Sequence, residues 1–407
     1  MPWLLRMLFI LTSVVLLLYG YAGSRLYQAL GQLTSWSEPR RLGAIILVTG
    51  LINVYPLAIL MTYLWGSEWW LVALRGGNKL VDMTLTYPFW IGLIIVAQLF
   101  PFFLAIDLGW FVLSLFAKNS PTWMVWQARL VVLITGLVTV YAVARISHDT
   151  WHIRVRERII ASNKFSPGTP ELRLVHITDV QMDPRTSPEM VSAFVEKVNQ
   201  LNPDLVIFTG DLITSGTAHI DRAATLLGRI QARYGIFACL GDHDVWADPE
   251  WITRSLEANG IQVLEDEHRW VETEHGRIEL TGITNVYRRR PQGNRLRQLI
   301  HGDRERSFAI FIAHQPSDSL VKFVAERGYD LFLAGHMHGG QVVLNYFGFQ
   351  ISPALRDSSY LSGFYRIDGM VLSVSNGLGL TFAPVRFRAP AEITLLRIVA
   401  SPSGVDR

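Results

Sequence analysis

Five short apolar runs in the second half of this chain each end in a residue able to hold a metal ion or move a proton. Leu172–Thr178 is followed by Asp179 and Gln181, and Leu205–Thr209 by Gly210 and Asp211. Ile236–Leu240 leads into Gly241-Asp242-His243-Asp244, Phe308–Ala313 into His314, and Leu331–Ala334 into Gly335-His336-Met337-His338. One such Asp could simply cap a helix. Five in succession point to shared chemistry, because ligands of α/β sheets gather beyond the carboxyl ends of the strands. The set suits hydrolysis of a phosphoester by two divalent ions about 3.5–4 Å apart, which share a hydroxide and clamp the substrate. A carboxylate offers two oxygens for a bridge, and the imidazoles favour Mn, Fe or Zn over Mg or Ca. Glycines 210, 241, 335, 339 and 340 let the backbone turn sharply and come close to metal or phosphate.

The elements that must position these residues can be read from periodicity. Near-continuous apolarity predicts strands covered on both faces. Ser187-Pro188 offers an N-cap with proline at the first helical position, ahead of Met190, Phe194, Val198 and Leu201 on one face. Ala223, Leu226, Leu227 and Ile230 repeat the helical spacing after the second strand. Ile393–Val399 reads as a last strand. The expected fold is a layered α/β domain over residues 171–400, preceded by a linker at 146–170.

Before residue 145 the composition is different. Half of the 407 residues are hydrophobic and 17% are charged, and the apolar excess lies almost entirely in this first part. Four stretches, Leu4–Ala22, Leu42–Trp65, Tyr87–Phe116 and Val125–Ala144, reach the roughly 20 residues a spanning helix needs. They predict an all-α, four-helix transmembrane region over residues 1–145 and a multi-pass protein of a bacterial inner membrane. Trp69, Trp70, Trp123 and Trp126 fall at span ends, where aromatic rings favour the headgroup layer. Arg6, Arg75, Lys79, Arg145, Arg154, Arg156 and Arg158 lie on the side of the C-terminal domain, against Arg25, Arg40, Arg41, Lys118 and Arg129, so the count leans to the cytoplasm. The net charge of +3 does not argue for nucleic acid as a partner. The single cysteine, Cys239, excludes an intramolecular disulfide and reads as a buried core residue.

The order Asp-x-Gln, Gly-Asp, Gly-Asp-His-Asp, lone His, Gly-His-x-His resembles the signature of the calcineurin-like metallophosphoesterases, over about residues 172–341. His336–Gln341, Tyr360–Tyr365, Ser375–Gly379 and the stretch from Pro384 to Glu392 are similar to a bacterial, often membrane-attached branch. That branch includes hydrolases of UDP-2,3-diacylglucosamine. The resemblance implies that Asp179, Gln181, Asp211 and His338 surround one metal ion. Asp211 would bridge to a second, held also by Asp242, His314 and His336. His243 would be the catalytic histidine that donates to the phosphoryl oxygen or the leaving group. Two positions depart from the usual pattern: Gln181 replaces a histidine and Asp242 an asparagine. An amide oxygen is a harder, weaker ligand, which suits Mn. The implied partners are a phosphoester substrate, lipid-linked or nucleotide, and membrane lipid. The competing reading is a catalytically silent, membrane-bound sensor or scaffold for metal or phosphate.

Other features carry structural and functional readings side by side. Arg288-Arg289-Arg290 could meet a phosphate or simply be a solvated loop. Arg154, Arg156 and Arg158 are expected at lipid headgroups. Asp107, inside the third span, reads as a hydrogen-bonded packing residue.

Overall fold

The computed structural model describes residues 3–67, 76–116, 121–287, 289–291, 293–300, 307–381 and 383–401, with side chains 3–5, 7, 8 and 11 excepted. Trp69, Trp70, Arg75, Lys118 and Arg288 lie outside the described residues. The chain divides into two compact units. The first holds Met1–His148 together with Leu344–Gln350 and Phe382–Phe387; the rest forms the second.

The first unit is helical. α1 (Trp3–Leu33) contains the first expected span. The second expected span is not one helix: α2 (Glu38–Ile52) and α3 (Val54–Leu64) meet at a 57° bend. Asn53 sits at the break, its side-chain amide donating to the Thr49 carbonyl at 2.9 Å. α4 runs Lys79–Ser114, with a π-helical turn at Asp82–Thr86 and Pro101 in its interior. α5 (Pro121–Trp151) continues seven residues past the expected Ala144. Among the described residues α4 and α5 are long and apolar enough to cross a membrane, and the bent pair makes a third if counted as one span. Asp107 is hydrogen-bonded, as expected, and ion-paired as well. Arg25 Nη2 lies 2.6 Å from its Oδ2, and Tyr21 donates its hydroxyl to the same oxygen. Pairing is what makes a carboxylate tolerable in such surroundings.

The second unit is a sandwich of two six-stranded sheets. The first has the order β1 (Arg154–Ser162), β14 (Glu392–Ala400), β2 (Leu172–Ile177), β3 (Leu205–Phe208), β4 (Ile236–Ala238), β5 (Ile261–Val263). The second has the order β12 (Gly363–Ile367), β13 (Met370–Val374), β9 (Leu331–Ala334), β8 (Phe308–Ala313), β7 (Gly276–Ile283), β6 (Glu267–Thr273). β2 to β5 run parallel, as do β13, β9, β8 and β7. Leu174, Ile207, Phe237, Cys239, Leu280, Ile310 and Leu333 fill the space between the sheets. Outside the first sheet pack α6 (Pro188–Gln200), capped by Ser187, and α7 (Ile220–Leu227), through Phe194, Val198, Ala223 and Leu227. This is the expected layered α/β core, with Cys239 buried in it.

Residues 146–170, expected as a linker, instead hold the last turns of α5 and the edge strand β1. Residues 154–162 pair with Glu392–Ala400 in parallel register, so the last strand is internal and the linker's charged side chains belong to a sheet edge. Arg156 is accordingly spent inside the unit, 2.7 Å from the buried Glu392, and Arg158 lies over the Phe364 ring. Partnered in this way, neither is the free headgroup contact expected of it.

Candidate metal centre

The parallel strands of both sheets end at one place. β2, β3 and β4 deliver Asp179, Asp211 and Asp242 from the first sheet; β8 and β9 deliver His314 and His336 from the second. The five strand ends thus belong to two facing sheets rather than one. Turning side chains back over the strand ends strains the backbone. Asp179, Gln181, Asp211, His336 and His338 are five of the eleven non-glycine residues with positive φ among the described residues, at 48–66°. Such conformations cost about 1–3 kcal/mol each and gather where the surroundings fix them. Two glycines are required by contact. A Cβ on Gly241 would lie 2.1 Å from Asp211 Oδ1, and one on Gly335 would lie 2.0 Å from Thr178 Oγ1.

Two groups of ligand atoms converge. In the first, Asp179, Asp211 and His338 place ligand atoms within 4.8 Å of one another, with His338 Nε2 3.2 Å from Asp179 Oδ1. In the second, Asp242 Oδ1 lies 3.0 Å from both His314 Nε2 and His336 Nδ1. Asp211 stands between them: its Oδ2 is 3.3 Å from His314 Nε2 and accepts from Gln181 Nε2 at 2.7 Å. A third group joins Asp211, Asp242 and His243.

Three buried carboxylates this close need positive charge. Without an ion the imidazoles supply it. Burial opposes protonation of His336, but its bonds to Asp242 and Asp357 prevail and raise its pKa to about 9. His314 is likewise raised against burial by Asp211 and Asp242. Asp242 is depressed despite burial, through His314 and His336. The donor set fits metal ions in a further respect. Gln181 Oε1, on the amide whose nitrogen bonds Asp211, is buried without a hydrogen-bond partner. Such an orphaned acceptor costs about 1–3 kcal/mol unless something coordinates it.

Supporting contacts fix orientation. His314 Nδ1 donates to the Thr209 carbonyl at 2.7 Å, so Nε2 is the lone-pair nitrogen of the neutral ring. His243 Nδ1 donates to the Thr214 carbonyl, leaving Nε2 outward. Asp244 does not order His243. It accepts from the backbone N–H groups of Asp211, Leu212 and Gly241 at 2.8–2.9 Å and so locks the two ligand loops together. Burial and the charge of Asp211 push its carboxyl up to about 6.

Tyr287 and Asp357 escaped sequence reasoning. The Tyr287 hydroxyl lies 3.2 Å from His336 Nε2 and donates to Asp357 Oδ2 at 3.1 Å. Tyr287 follows the end of β7, so the rule that found the ligands could have found it; Asp357, in a turn beyond a short 3₁₀ helix, carries no such signal. The basic triplet does not converge here in its described part: Arg289 pairs with Glu265 at 3.0 Å and Arg290 donates to the Val286 carbonyl. Asn285 is structural, donating to the Gln315 carbonyl.

Residues 172–340 match the family model described as Calcineurin-like phosphoesterase. A transmembrane protein with metallophosphoesterase domain from Danio rerio is 28% identical over 278 residues, covering 66% of this chain and 62% of that one. An uncharacterised metallophosphoesterase of Bacillus subtilis, YkuE, is 27% identical over 250 residues, 60% of this chain and 85% of that one. This chain therefore spans about three-fifths of the zebrafish protein's length. A solved 5'-nucleotidase precursor from Thermus thermophilus aligns with TM-score 0.36 and 14% identity over 56% of this chain and 55% of its own, too remote to bear on substrate. The likeness to the calcineurin-like phosphoesterases is carried by residues 172–340, the segment that contains Asp179, Gln181, Asp211, Asp242, His314, His336 and His338.

Proposed function

We propose that this protein is a membrane-anchored phosphoesterase that uses two divalent ions. The observation that carries the reading is the convergence of Asp179, Asp211, Asp242, His314, His336 and His338, with Gln181 Oε1 buried and left without a hydrogen-bond partner. Asp179, Gln181, Asp211 and His338 would hold one ion; Asp211, Asp242, His314 and His336 the other. When bound, the ions supply a nucleophile at neutral pH and neutralise charge on the phosphoryl oxygens.

The chain's own residues do the rest. Asp211 joins the two groups of ligands, its orientation held by the His243 N–H at 2.9 Å and by Gln181. Burial disfavours protonated His243, but Asp211 and Asp242 outweigh it and raise its pKa. That direction favours the protonated ring, the form able to donate to a phosphoryl oxygen or the departing alkoxide. Tyr287 and Asp357 hold the His336 ring edge, keeping Nδ1 toward Asp242.

The substrate is proposed to be a lipid-linked phosphoester, diphosphate or monoester, because apolar helices confine the domain near a bilayer. The count of basic residues supports the reading that the domain lies on the cytoplasmic side of a multi-pass protein. The full chain in detergent with added Mn should hydrolyse bis-p-nitrophenyl phosphate. His243→Ala should lower turnover about 10²–10⁴-fold, the range of a general acid. Full activity in both His243→Ala and Asp211→Asn would remove the reading.

A further inference from the structure

Most of the hairpin that follows the last ligand block belongs to the helical unit. β10 (Leu344–Tyr346) and β11 (Phe349–Ile351) form a separate two-stranded sheet, and Leu344–Gln350 folds with the helices. The chain enters it six residues after His338. Its tip is Phe347-Gly348, 92% exposed at Phe347, with Phe349 76% exposed beside it. Both tip residues have positive φ, 51° and 89°. A turn of this kind favours Asn-Gly or Asp-Gly, and a bulky aromatic in that conformation is strained. An exposed phenylalanine at this position is therefore unfavourable in water on two counts, solvation and backbone.

A second observation says where the hairpin lies. Pro101 sits inside α4 and has no N–H, so the Ala97 carbonyl one turn earlier loses its helical donor. In a bilayer a freed carbonyl must find another partner. Tyr346 supplies it, donating its hydroxyl to Ala97 O at 2.5 Å. Phe100 and Leu104, four residues apart and so on one face of the same helix beside Pro101, are exposed, as a lipid-facing side would be.

We propose that β10–β11 is a membrane-inserted hairpin, closed onto α4 through Tyr346 and presenting Phe347 and Phe349 to lipid. The occupant of its exposed face is the bilayer, since α4 is itself apolar enough to span one and the hairpin is bonded to its interior. A two-stranded ribbon has open backbone edges, so insertion is confined to the headgroup and upper acyl region. The protein thus holds the bilayer at a second point in its sequence, immediately after the metal-binding block.

The test uses the full chain in nanodiscs of phosphatidylethanolamine and phosphatidylglycerol, 3:1. A bimane label goes on Phe347→Cys, with Asp368→Cys, in an exposed turn of the second unit, as the aqueous reference. Cys239 can stay, because burial pushes its thiol up to about 12 and keeps it unreactive. The label at 347 should be quenched severalfold more by shallow doxyl lipid than the label at 368, and shielded from iodide. Equal iodide quenching at both sites, or self-quenching at 347 that vanishes on dilution among unlabelled chains, overturns the proposal, the latter in favour of a second copy. The link to α4 is read independently. Tyr346→Phe should lower the thermal midpoint in the native background by several degrees and by much less with Pro101→Ala, which restores the missing N–H. Equal losses in both backgrounds overturn the assigned role of Tyr346.

Discussion

Gln181 shows how one atom can decide a site. Its Nε2 is committed to Asp211, so only Oε1 is left for an ion, and Oε1 has no other partner. Replacement by histidine should tighten the first ion on the order of tenfold, comparable to other changes at metal ligands and their supports, as measured by Mn titration. Looser binding would show that Gln181 serves Asp211 alone. His176 gives a pH signature outside the ligand set. Burial lowers its pKa to about 3, and its ring bonds the Thr209 hydroxyl at 2.9 Å. A histidine depressed in the folded state contributes stability above its unfolded pKa of about 6.5 and loses it as pH falls toward 3. The metal-free protein should lose about 2 kcal/mol from this group between pH 6.5 and 5; chemical denaturation of His176→Asn should show a flatter profile over that range. The ligand residues were legible because each closes an apolar run. Asp357 was not, since it reaches the centre through Tyr287, 70 residues earlier, and leaves no spacing to read, whereas Tyr287 lies beyond β7, where the same rule applies.

Among the elements, the five strands that lead into ligands were legible to within two residues, because their nearly complete burial makes them almost continuously apolar; β5, β6, β7, β12 and β13 were not read. The division of the strands between two sheets was not legible, since parallel pairing leaves no local mark. β1 was missed for a different reason: it is an edge strand that carries four charged residues, three of them exposed, so its composition is that of a linker. The bend at Asn53 was missed because hydropathy does not register a break in direction. The tight turn between β4 and the following helix is the element most exposed to damage. Gly241→Ala would force its new methyl group against Asp211, so metal binding should fall by at least tenfold and stability by about 1–3 kcal/mol. Unchanged metal affinity would mean that the loop yields without moving Asp211.

At the scale of the molecule, composition announced two parts and the structure divides the chain in two, but not at a single boundary. Leu344–Gln350 and Phe382–Phe387 return to the helical unit from far along the chain. Tyr141 and Phe387 pack edge to face there, 6.1 Å between centroids. No sequence pattern marks such returns, because the segments are short and their apolar residues resemble those of any core. A fragment beginning at Arg154 would leave both segments without their partners. It should expose apolar surface and aggregate more readily than the full chain, which size-exclusion chromatography with and without detergent would show.

The central claim is a centre for two ions joined by Asp211, and bound metal tests it most directly. Plasma mass spectrometry of the full chain, loaded with Mn and freed of excess, should find about two ions per chain. Asp211→Asn, which keeps the shape of the residue and removes its charge, should bring that to one or fewer. Two ions in the native chain and two in the variant would contradict the bridge. Near-zero metal in both would contradict the centre itself and favour a silent scaffold.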